Sequence, residues 1–378
     1  MLPVCPAYRI NTIMLRQKAK LLQAAAIWRH MRSASGMIYR EGRFEEGSAS
    51  ISKGRLVFSR RPMDDADVQG IILPKTVNCH THLGDAFVER PGHGTVESLV
   101  APPDGLKHRM LRVAREDVQV NAMRDAVSAM AQTGTSHFID FRESGLEGAR
   151  RLLVASLGIA VSPVILGRPE TGDVDEVSAL LNVCDGIGFS AVSDHDYGML
   201  ERVADQVKAQ DRIFALHANE TVREDFEAIM NLRPDMLIHM VKASPEDMEA
   251  CSAAKVPVTI CPTANGFFGL KPPVLEMLDA GITVCLGTDN AMLAEPSMLD
   301  EIRSLRAMFP EDALFNEQIL GIAFTNGRKV LNSLPGLGDA YLGHRDFIVL
   351  EKPTDDPFGS ILGARTVDVR VFESGEMP

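Results

Sequence analysis

The feature that most constrains the fold is a regular alternation of short apolar runs with longer helical patterns along the middle of the chain. Such alternation is typical of a parallel sheet built from consecutive βα units. Eight strand-like runs occur in one series, which is the number needed to close the sheet, so we predict an α/β fold with a (β/α)8, or TIM, barrel. The predicted strands are Ile71–Cys79, Ser136–Phe141, Ala160–Leu166, Gly186–Phe189, Ile213–Leu216, Met236–Ile238, Val256–Cys261 and Ile282–Leu286.

The two ends of the chain have a different pattern. Short alternating segments broken by glycine run from Gly36 to Ile72, and two β-branched runs, Phe347–Leu350 and Val367–Phe372, follow the predicted barrel. Such segments are typical of strands joined by turns. We expect the two ends to pair into one small flanking β-domain.

The N-terminus has a pattern of its own, because Met14–Arg32 is basic and rich in good helix formers. It predicts a helical extension, docked or mobile, in preference to an amphipathic helix on a membrane surface. The domain boundaries that we predict are residues 1–36 for the extension, 37–73 with 343–378 for the β-domain, and 74–342 for the barrel.

Candidate site residues cluster at the ends of the predicted strands. In VNCHTHLGD, His80 and His82 lie two residues apart, and the period of a strand directs both imidazoles to one face. His217, His239 and Asp289 each follow a later strand within a few residues. In a barrel of this kind the strand ends meet at one mouth, where the chemistry lies. Imidazoles with a carboxylate suit zinc or iron(II), which lowers the pKa of a bound water, so we predict a metal-dependent hydrolase.

The ordered motifs HTH, HANE, LIH and GTDN resemble the amidohydrolase superfamily, specifically its cytosine deaminase and chlorohydrolase-like branch. The resemblance covers the whole predicted barrel. It implies that His80, His82 and His217 bind the metal, and that Asp289 both contacts the metal and takes the proton from its water. It also implies that His239 lies beside the water and the leaving group.

Two details within this resemblance indicate the reaction type. Glu220 follows His217 by three residues, matching the HxxE in which deaminases of this branch shuttle protons, although a solvated residue in a first helical turn is the alternative. Binuclear members bridge their metals with a lysine after the fourth strand, and the chain has no lysine between Lys107 and Lys208. We therefore predict one divalent ion per chain, zinc before iron, with a bridge from another carboxylate, such as Glu143, Glu170 or Asp194, left open.

Arg142 and Glu143 close the second predicted strand in the sequence FRESG. Both are candidates for orienting a substrate. An internal ion pair between them is the alternative interpretation.

Composition limits the partners. The formal net charge is −12, without a long run of one sign, so the chain lacks the basic footprint of a nucleic-acid-binding protein. No apolar stretch reaches the roughly 18 residues of a membrane span. Scattered cysteines without a CxxC pair are typical of a reducing compartment, so we expect a cytoplasmic protein. The partner that we predict is a small-molecule substrate, and a homo-oligomer is compatible with the sequence.

The reaction that these observations predict is hydrolysis of a non-peptide carbon–nitrogen bond by metal-activated hydroxide, with deamination of a heterocyclic or amidine-like substrate as the first choice. A cyclic-amide or amide hydrolase on the same scaffold is the close alternative. A catalytically silent binding homologue is the third hypothesis, and it predicts lost ligands, whereas the sequence retains all four.

Overall fold

Two sheets organise the chain in the computed structural model, which describes residues 32–40, 42–52, 55–337 and 346–372. The predicted N-terminal helix lies outside these residues, apart from Arg32. The strands, in chain order, are β1 (Ser33–Arg40), β2 (Arg43–Ser52), β3 (Arg55–Ser59), β4 (Val68–Pro74), β5 (Thr76–His82), β6 (Thr135–Arg142), β7 (Ser162–Gly167), β8 (Gly186–Phe189), β9 (Ile213–Ala218), β10 (Met236–His239), β11 (Val258–Ile260), β12 (Val284–Leu286), β13 (Asp289–Asn290), β14 (Phe347–Glu351) and β15 (Val369–Phe372).

The larger sheet is a closed parallel barrel. Strands β5 to β12 pair in chain order, and the short β13, which continues the eighth strand, pairs with β5. Gly287 makes this closure feasible, because a Cβ there would lie 2.7 Å from Cβ of His80. The eighth strand can therefore pass directly against the first, which brings Asp289 beside the histidines of β5.

The helices cover the barrel. Helix α3, for example, buries Met123, Val127 and Met130 at the spacing of one helical face. The helices are α1 (Val96–Leu99), α2 (Leu106–Val113), α3 (Glu116–Gln132), α4 (Gly145–Ser156), α5 (Val174–Leu181), α6 (Tyr197–Ala209), α7 (Phe226–Asn231), α8 (Pro245–Ala254), α9 (Pro262–Phe267), α10 (Val274–Asp279), α11 (Met298–Met308), α12 (Asn316–Leu320), α13 (Gly327–Ser333) and α14 (Pro357–Gly363), with a π-helical turn at Gly321–Asn326. Among the described residues, no helix is both long and apolar enough to cross a membrane.

The smaller sheet joins the two ends of the chain in the order β15-β14-β4-β1-β2-β3. The central contact is β14, which runs antiparallel to β4 with Val349 opposite Ile72. The predicted pairing of the two ends into a flanking β-domain is confirmed.

Two predicted boundaries differ from the structure. The strand predicted at Ile71–Cys79 is two strands, since β4 ends at Pro74 in the small sheet and β5 begins at Thr76 in the barrel. Only Lys75 separates them, so Pro74 is the one residue at the break that is typical of a strand end, and no turn-forming run follows it. At the other boundary, β1 begins at Ser33, so residues 33–36 belong to the β-domain and not to the predicted extension.

Candidate metal centre and active site

Three imidazoles and one carboxylate converge at the C-terminal mouth of the barrel. Strand β5 supplies His80 and His82, β9 supplies His217, and β13 supplies Asp289. Nε2 of His217 lies 3.2 Å from Nε2 of both other histidines. Oδ1 of Asp289 lies 3.3 Å from Nε2 of His80 and 3.6 Å from Nε2 of His82. All four side chains are buried.

These separations match one tetrahedral ion. Four ligands at about 2.0–2.1 Å from a zinc ion lie roughly 3.3 Å from one another. The donor set of three nitrogens and one oxygen is also one that zinc or iron(II) accepts. The residues present therefore fit a divalent metal, which His80, His82, His217 and Asp289 would hold.

The outer contacts of two histidines select the tautomer that a metal requires. Nδ1 of His217 lies 2.8 Å from the carbonyl oxygen of Phe189, and Nδ1 of His82 lies 3.1 Å from that of Phe141. A carbonyl oxygen only accepts, so each Nδ1 carries the proton and donates it. The lone pair of each ring is then on Nε2, which faces the centre of the group.

The charges of the four groups also suit metal binding. Burial lowers the pKa of His80 and of His217, and it lowers the pKa of His82 to about 3, so all three rings are neutral at pH 7. Burial alone would raise the pKa of Asp289, but the hydrogen bond to His80 and the neighbouring His239 hold it below its usual range. The group is thus three neutral imidazoles and one anion.

His239 and Glu220 lie on the open side of this group. Nε2 of His239 is 3.9 Å from Oδ2 of Asp289 and 3.7 Å from Oε1 of Glu220. Burial raises the pKa of Glu220, and the negative charge of Asp289 adds to the shift. The structure therefore brings a carboxyl group with a raised pKa, an imidazole and a second carboxylate to one place beside the candidate ligands.

The backbone is strained where these residues sit. His239 has φ of 73° and Asp289 has φ of 60°, both in the left-handed region that non-glycine residues avoid. Asn219, between His217 and Glu220, has φ of 50°. Such conformations cost about 1–3 kcal/mol each and concentrate at functional sites, where the fold enforces them.

A cavity of about 260 Å³ opens above the site and includes His82, His217, Glu220, His239 and Asp289 in its wall. The rest of the wall is mixed. Apolar and charged residues come from the loops after the first, third, fourth and fifth strands, among them Val96, Val100, Pro102, Lys107, Arg168, Asp194 and Val222.

Sequence reasoning did not single out Lys107 or Arg168 as site residues. Lys107 lies in the first turn of α2, and Arg168 directly follows β7. The position of Arg168 at a strand end was a usable signal. Lys107 has no such signal, because its place in the wall depends on the path of a long loop.

Arg142 and Glu143, predicted as substrate contacts, lie beside the metal-ligand group and are not among the cavity-wall residues of the described chain. Both are almost fully buried, and Nη2 of Arg142 lies 2.5 Å from Oε2 of Glu143. Nη1 of Arg142 lies 3.4 Å from Oδ1 of Asp140. This placement favours the alternative of an internal ion pair, and contact with a substrate stays a prediction.

The family model described as the amidohydrolase family matches residues 71–338, which is the barrel together with the end of β4. The chain belongs to the amidohydrolase family. Membership confirms the predicted class, a hydrolase of carbon–nitrogen bonds other than peptide bonds.

Two relatives illustrate the membership. An uncharacterized protein of Methanocaldococcus jannaschii is 30% identical over 313 residues, which cover 76% of this chain and 80% of that protein. A 5-methylthioadenosine/S-adenosylhomocysteine deaminase of Thermoanaerobacter pseudethanolicus is 25% identical over 338 residues, covering 78% and 77% respectively.

A solved structure shares the architecture. An adenosine deaminase from Xanthomonas campestris with bound zinc superposes with a TM-score of 0.74, at 16% identity, over 91% of this chain and 92% of that one. At this identity the likeness concerns the fold alone. It confirms the predicted (β/α)8 barrel with its flanking sheet.

Proposed function

We propose that this amidohydrolase is a zinc-dependent aminohydrolase that deaminates an amino-substituted heterocycle. The observation that carries the proposal is the placement of Glu220 and His239 on the open side of a site with a carboxylate ligand, Asp289. The chemistry requires a nucleophilic oxygen, an acceptor for its proton, and a donor to the departing nitrogen. Asp289 is suited to accept the proton and Glu220 to donate one, and each lies within 4 Å of His239.

Asp289 is suited to accept the proton of the attacking water. A divalent metal bound at this site lowers the pKa of a water and so supplies a nucleophile near neutral pH. Oδ1 of Asp289 faces His80 and His82, while Oδ2 faces His239 and the cavity. Because its pKa is held low, the carboxylate is ionised and ready to receive a proton at any pH near neutrality.

Glu220 is suited to give a proton to the substrate. Its raised pKa keeps a larger protonated fraction than an exposed glutamate has. One proton of the water passes to the ring nitrogen beside the attacked carbon as the new carbon–oxygen bond forms, and the other passes to the amino group, which leaves as ammonia when the carbon–nitrogen bond breaks. A buried carboxyl that can donate, and then be reloaded from Asp289, serves both transfers.

His239 is suited to steady the charge that develops at the attacked carbon. Its ring lies between Glu220 and Asp289, with Nε2 toward both. A fixed N–H donor in a buried site stabilises a developing negative charge more strongly than water does. This role requires the proton on Nε2.

The proposal includes a single zinc ion per chain. What supports this number is the absence of a lysine that could form a carbamate bridge, because β8 ends at Phe189 and is followed by Ser190. A relative with zinc and the same fold supports zinc in preference to iron.

The cavity limits the substrate class. About 260 Å³ lies just below the roughly 300–1,000 Å³ typical of small-molecule sites, which suits one heterocycle with a small substituent. The relative named as a 5-methylthioadenosine/S-adenosylhomocysteine deaminase makes adenine derivatives the first choice for this chain.

Ammonia release by the zinc-loaded protein tests the proposal, across adenosine, 5-methylthioadenosine, S-adenosylhomocysteine, other purines, pyrimidines, pterins and triazines. Glu220→Gln is expected to keep its zinc and to lose turnover. Turnover of a cyclic amide without ammonia release would replace the proposal with the alternative of amide hydrolysis. Unchanged turnover in Glu220→Gln would remove the role of Glu220.

A further inference from the structure

Glu143 contacts a metal ligand from outside the site. Its Oε1 lies 2.7 Å from Nδ1 of His82, and the same oxygen lies 2.9 Å from Nζ of Lys107. Both contacts are buried, since the exposed fractions of the three side chains are 3–4%. One carboxylate oxygen therefore joins a residue of the cavity wall to a residue of the metal centre.

Two cations contact this carboxylate. Nζ of Lys107 lies 2.9 Å from Oε1 of Glu143, and Nη2 of Arg142 lies 2.5 Å from Oε2. Arg142 in turn occupies a space that exists because Gly84 has no side chain, as a Cβ there would lie 1.8 Å from Nη2. The position of Arg142 in the network thus depends on a glycine at residue 84.

Such a network contributes little to the stability of the fold, because burying charged groups costs free energy that their mutual attraction often fails to recover. Apolar residues of similar size would serve stability equally well. The contact of the network with His82 indicates a role other than stabilising the fold.

The three histidines have different outer contacts, which makes His82 distinct. His217 donates from Nδ1 to a backbone carbonyl, and Nδ1 of His80 has no partner among the described residues. Among these three residues it is His82 whose Nδ1 faces a carboxylate, in addition to the carbonyl oxygen of Phe141. A carboxylate on the outer nitrogen fixes the ring and makes the inner nitrogen a stronger base, and its loss costs metal affinity.

We propose that Glu143 is a positioning residue for His82, and that Lys107 holds Glu143 in place from the cavity wall. The inference rests on the metal centre of the proposed function and does not depend on the substrate. It reassigns Glu143, a candidate for substrate contact in the sequence, to the support of a ligand. It also links the start of α2, where Lys107 lies in the cavity wall, to the metal centre.

Zinc affinity of the full chain tests the proposal, measured by equilibrium competition with a chelator. We expect Glu143→Gln to lower the affinity by about 10- to 100-fold. Lys107→Met, which leaves the carboxylate but removes one of its two cations, is expected to lower the affinity by a smaller factor, and Lys107→Arg is expected to keep it near that of the unmodified protein. The absorption spectrum of the cobalt-substituted protein is expected to shift in Glu143→Gln, because the ligand field that His82 would contribute at the cobalt ion changes.

Asp235→Asn is the matched control. Asp235 also pairs with a lysine, Lys208 at 2.5 Å, and accepts from the backbone of Phe214, but it contacts no residue of the metal centre. Its loss should leave zinc affinity and the cobalt spectrum unchanged.

Zinc affinity and a cobalt spectrum equal to those of the unmodified protein in Glu143→Gln would overturn the proposal. If Glu143→Gln does not fold, the comparison of Lys107→Met with Lys107→Arg decides, and equal affinities overturn it. A protein that shows the expected affinities and yet releases no ammonia from any substrate would retain this inference and lose the proposed function.

Discussion

The side-chain amide of Asn265 donates a hydrogen bond to Nδ1 of His239 across 3.2 Å. The orientation of that amide is set by the N–H of Cys261, which donates to Oδ1 of Asn265 at 3.3 Å and leaves Nδ2 toward the imidazole. Since Nδ1 accepts, the proton of the neutral ring is on Nε2. Asn265 thus directs the N–H of His239 toward Glu220 and Asp289.

Asn265→Leu removes this control with little change of volume. We expect kcat to fall by about 10- to 100-fold, the range for loss of an outer contact, because the ring can then turn or adopt the other tautomer. Zinc content should not change, since neither residue is among the four ligands. Thr263→Val is the control, because it alters a hydroxyl on the same turn that contacts Ser304 and not His239. Equal kcat in Asn265→Leu and Thr263→Val would contradict the role.

The convergence of the four candidate metal ligands could be predicted, because each position depends on local sequence pattern. Two histidines two apart on a strand share a face, and residues that end parallel strands meet at one mouth. The structure brings together the four residues that these two regularities predict, His80, His82, His217 and Asp289. The order of the strands required no long-range information.

The contacts that surround the metal-centre residues could not be predicted, because they depend on loop conformation. Lys107 reaches Glu143 only through the path of the loop after β5, and no periodicity records that path. The left-handed backbone of His239 and Asp289 is likewise imposed by the closed barrel, against local preference. The break at Lys75 could not be predicted for a local reason: β4 and β5 follow each other with no turn between them.

Glu301 should make stability depend on pH. It is fully buried on α11, one of its oxygens has no partner among the described residues, and burial raises its pKa from 4.5 to about 8. Between these two pH values the unfolded chain holds fewer protons than the folded one. The free energy of unfolding therefore falls as the pH rises through this window.

Glu301→Gln removes the titration and can still accept from the N–H of Thr263. We expect the melting temperature of this variant to fall less between pH 5 and 8 than that of the unmodified protein, at matched zinc content. Parallel curves for the two proteins would show that Glu301 does not carry the dependence.

Arg168 gives the cavity wall a cation with unused hydrogen-bonding capacity. Within the part of the chain that the structure describes, its guanidinium has no hydrogen-bond or ion-pair partner, and its Nε is buried. Burial lowers the pKa of this group, which expresses the cost of holding the charge there. A substrate with a carboxylate or phosphate would supply the missing partner.

Arg168→Met should therefore act in opposite directions on stability and on binding. We expect the free energy of unfolding to rise by about 1–2 kcal/mol, because an unsatisfied buried group is removed. For anionic substrates KM should increase by about 10-fold or more, and for neutral substrates it should change little. Denaturant unfolding and steady-state kinetics measure the two effects. A KM increase that is the same for both kinds of substrate would assign Arg168 to the shape of the cavity.

Metal counting separates one ion from two. Besides the four-ligand group, His239, Cys261 and Asp289 bring potential ligand atoms within 4.8 Å of one another. A second ion there would take Nε2 of His239, which the proposed reaction needs as an N–H donor. We therefore expect one zinc per chain in the unmodified protein and in Cys261→Ser. Two zinc ions, falling to one in Cys261→Ser, would contradict the single-ion site and move the reaction toward amide hydrolysis.

Chelation tests the same centre through stability. Without a cation, three imidazole lone pairs and the Asp289 carboxylate face one another in a buried space, so turnover should cease and the melting temperature should fall. Zinc added at 100-fold its Kd should restore activity and about 2.7 kcal/mol of stability. His217→Ala, which removes one ligand, should show a much smaller response to the same zinc concentration. An equal gain in melting temperature for His217→Ala would mean that zinc stabilises the protein elsewhere.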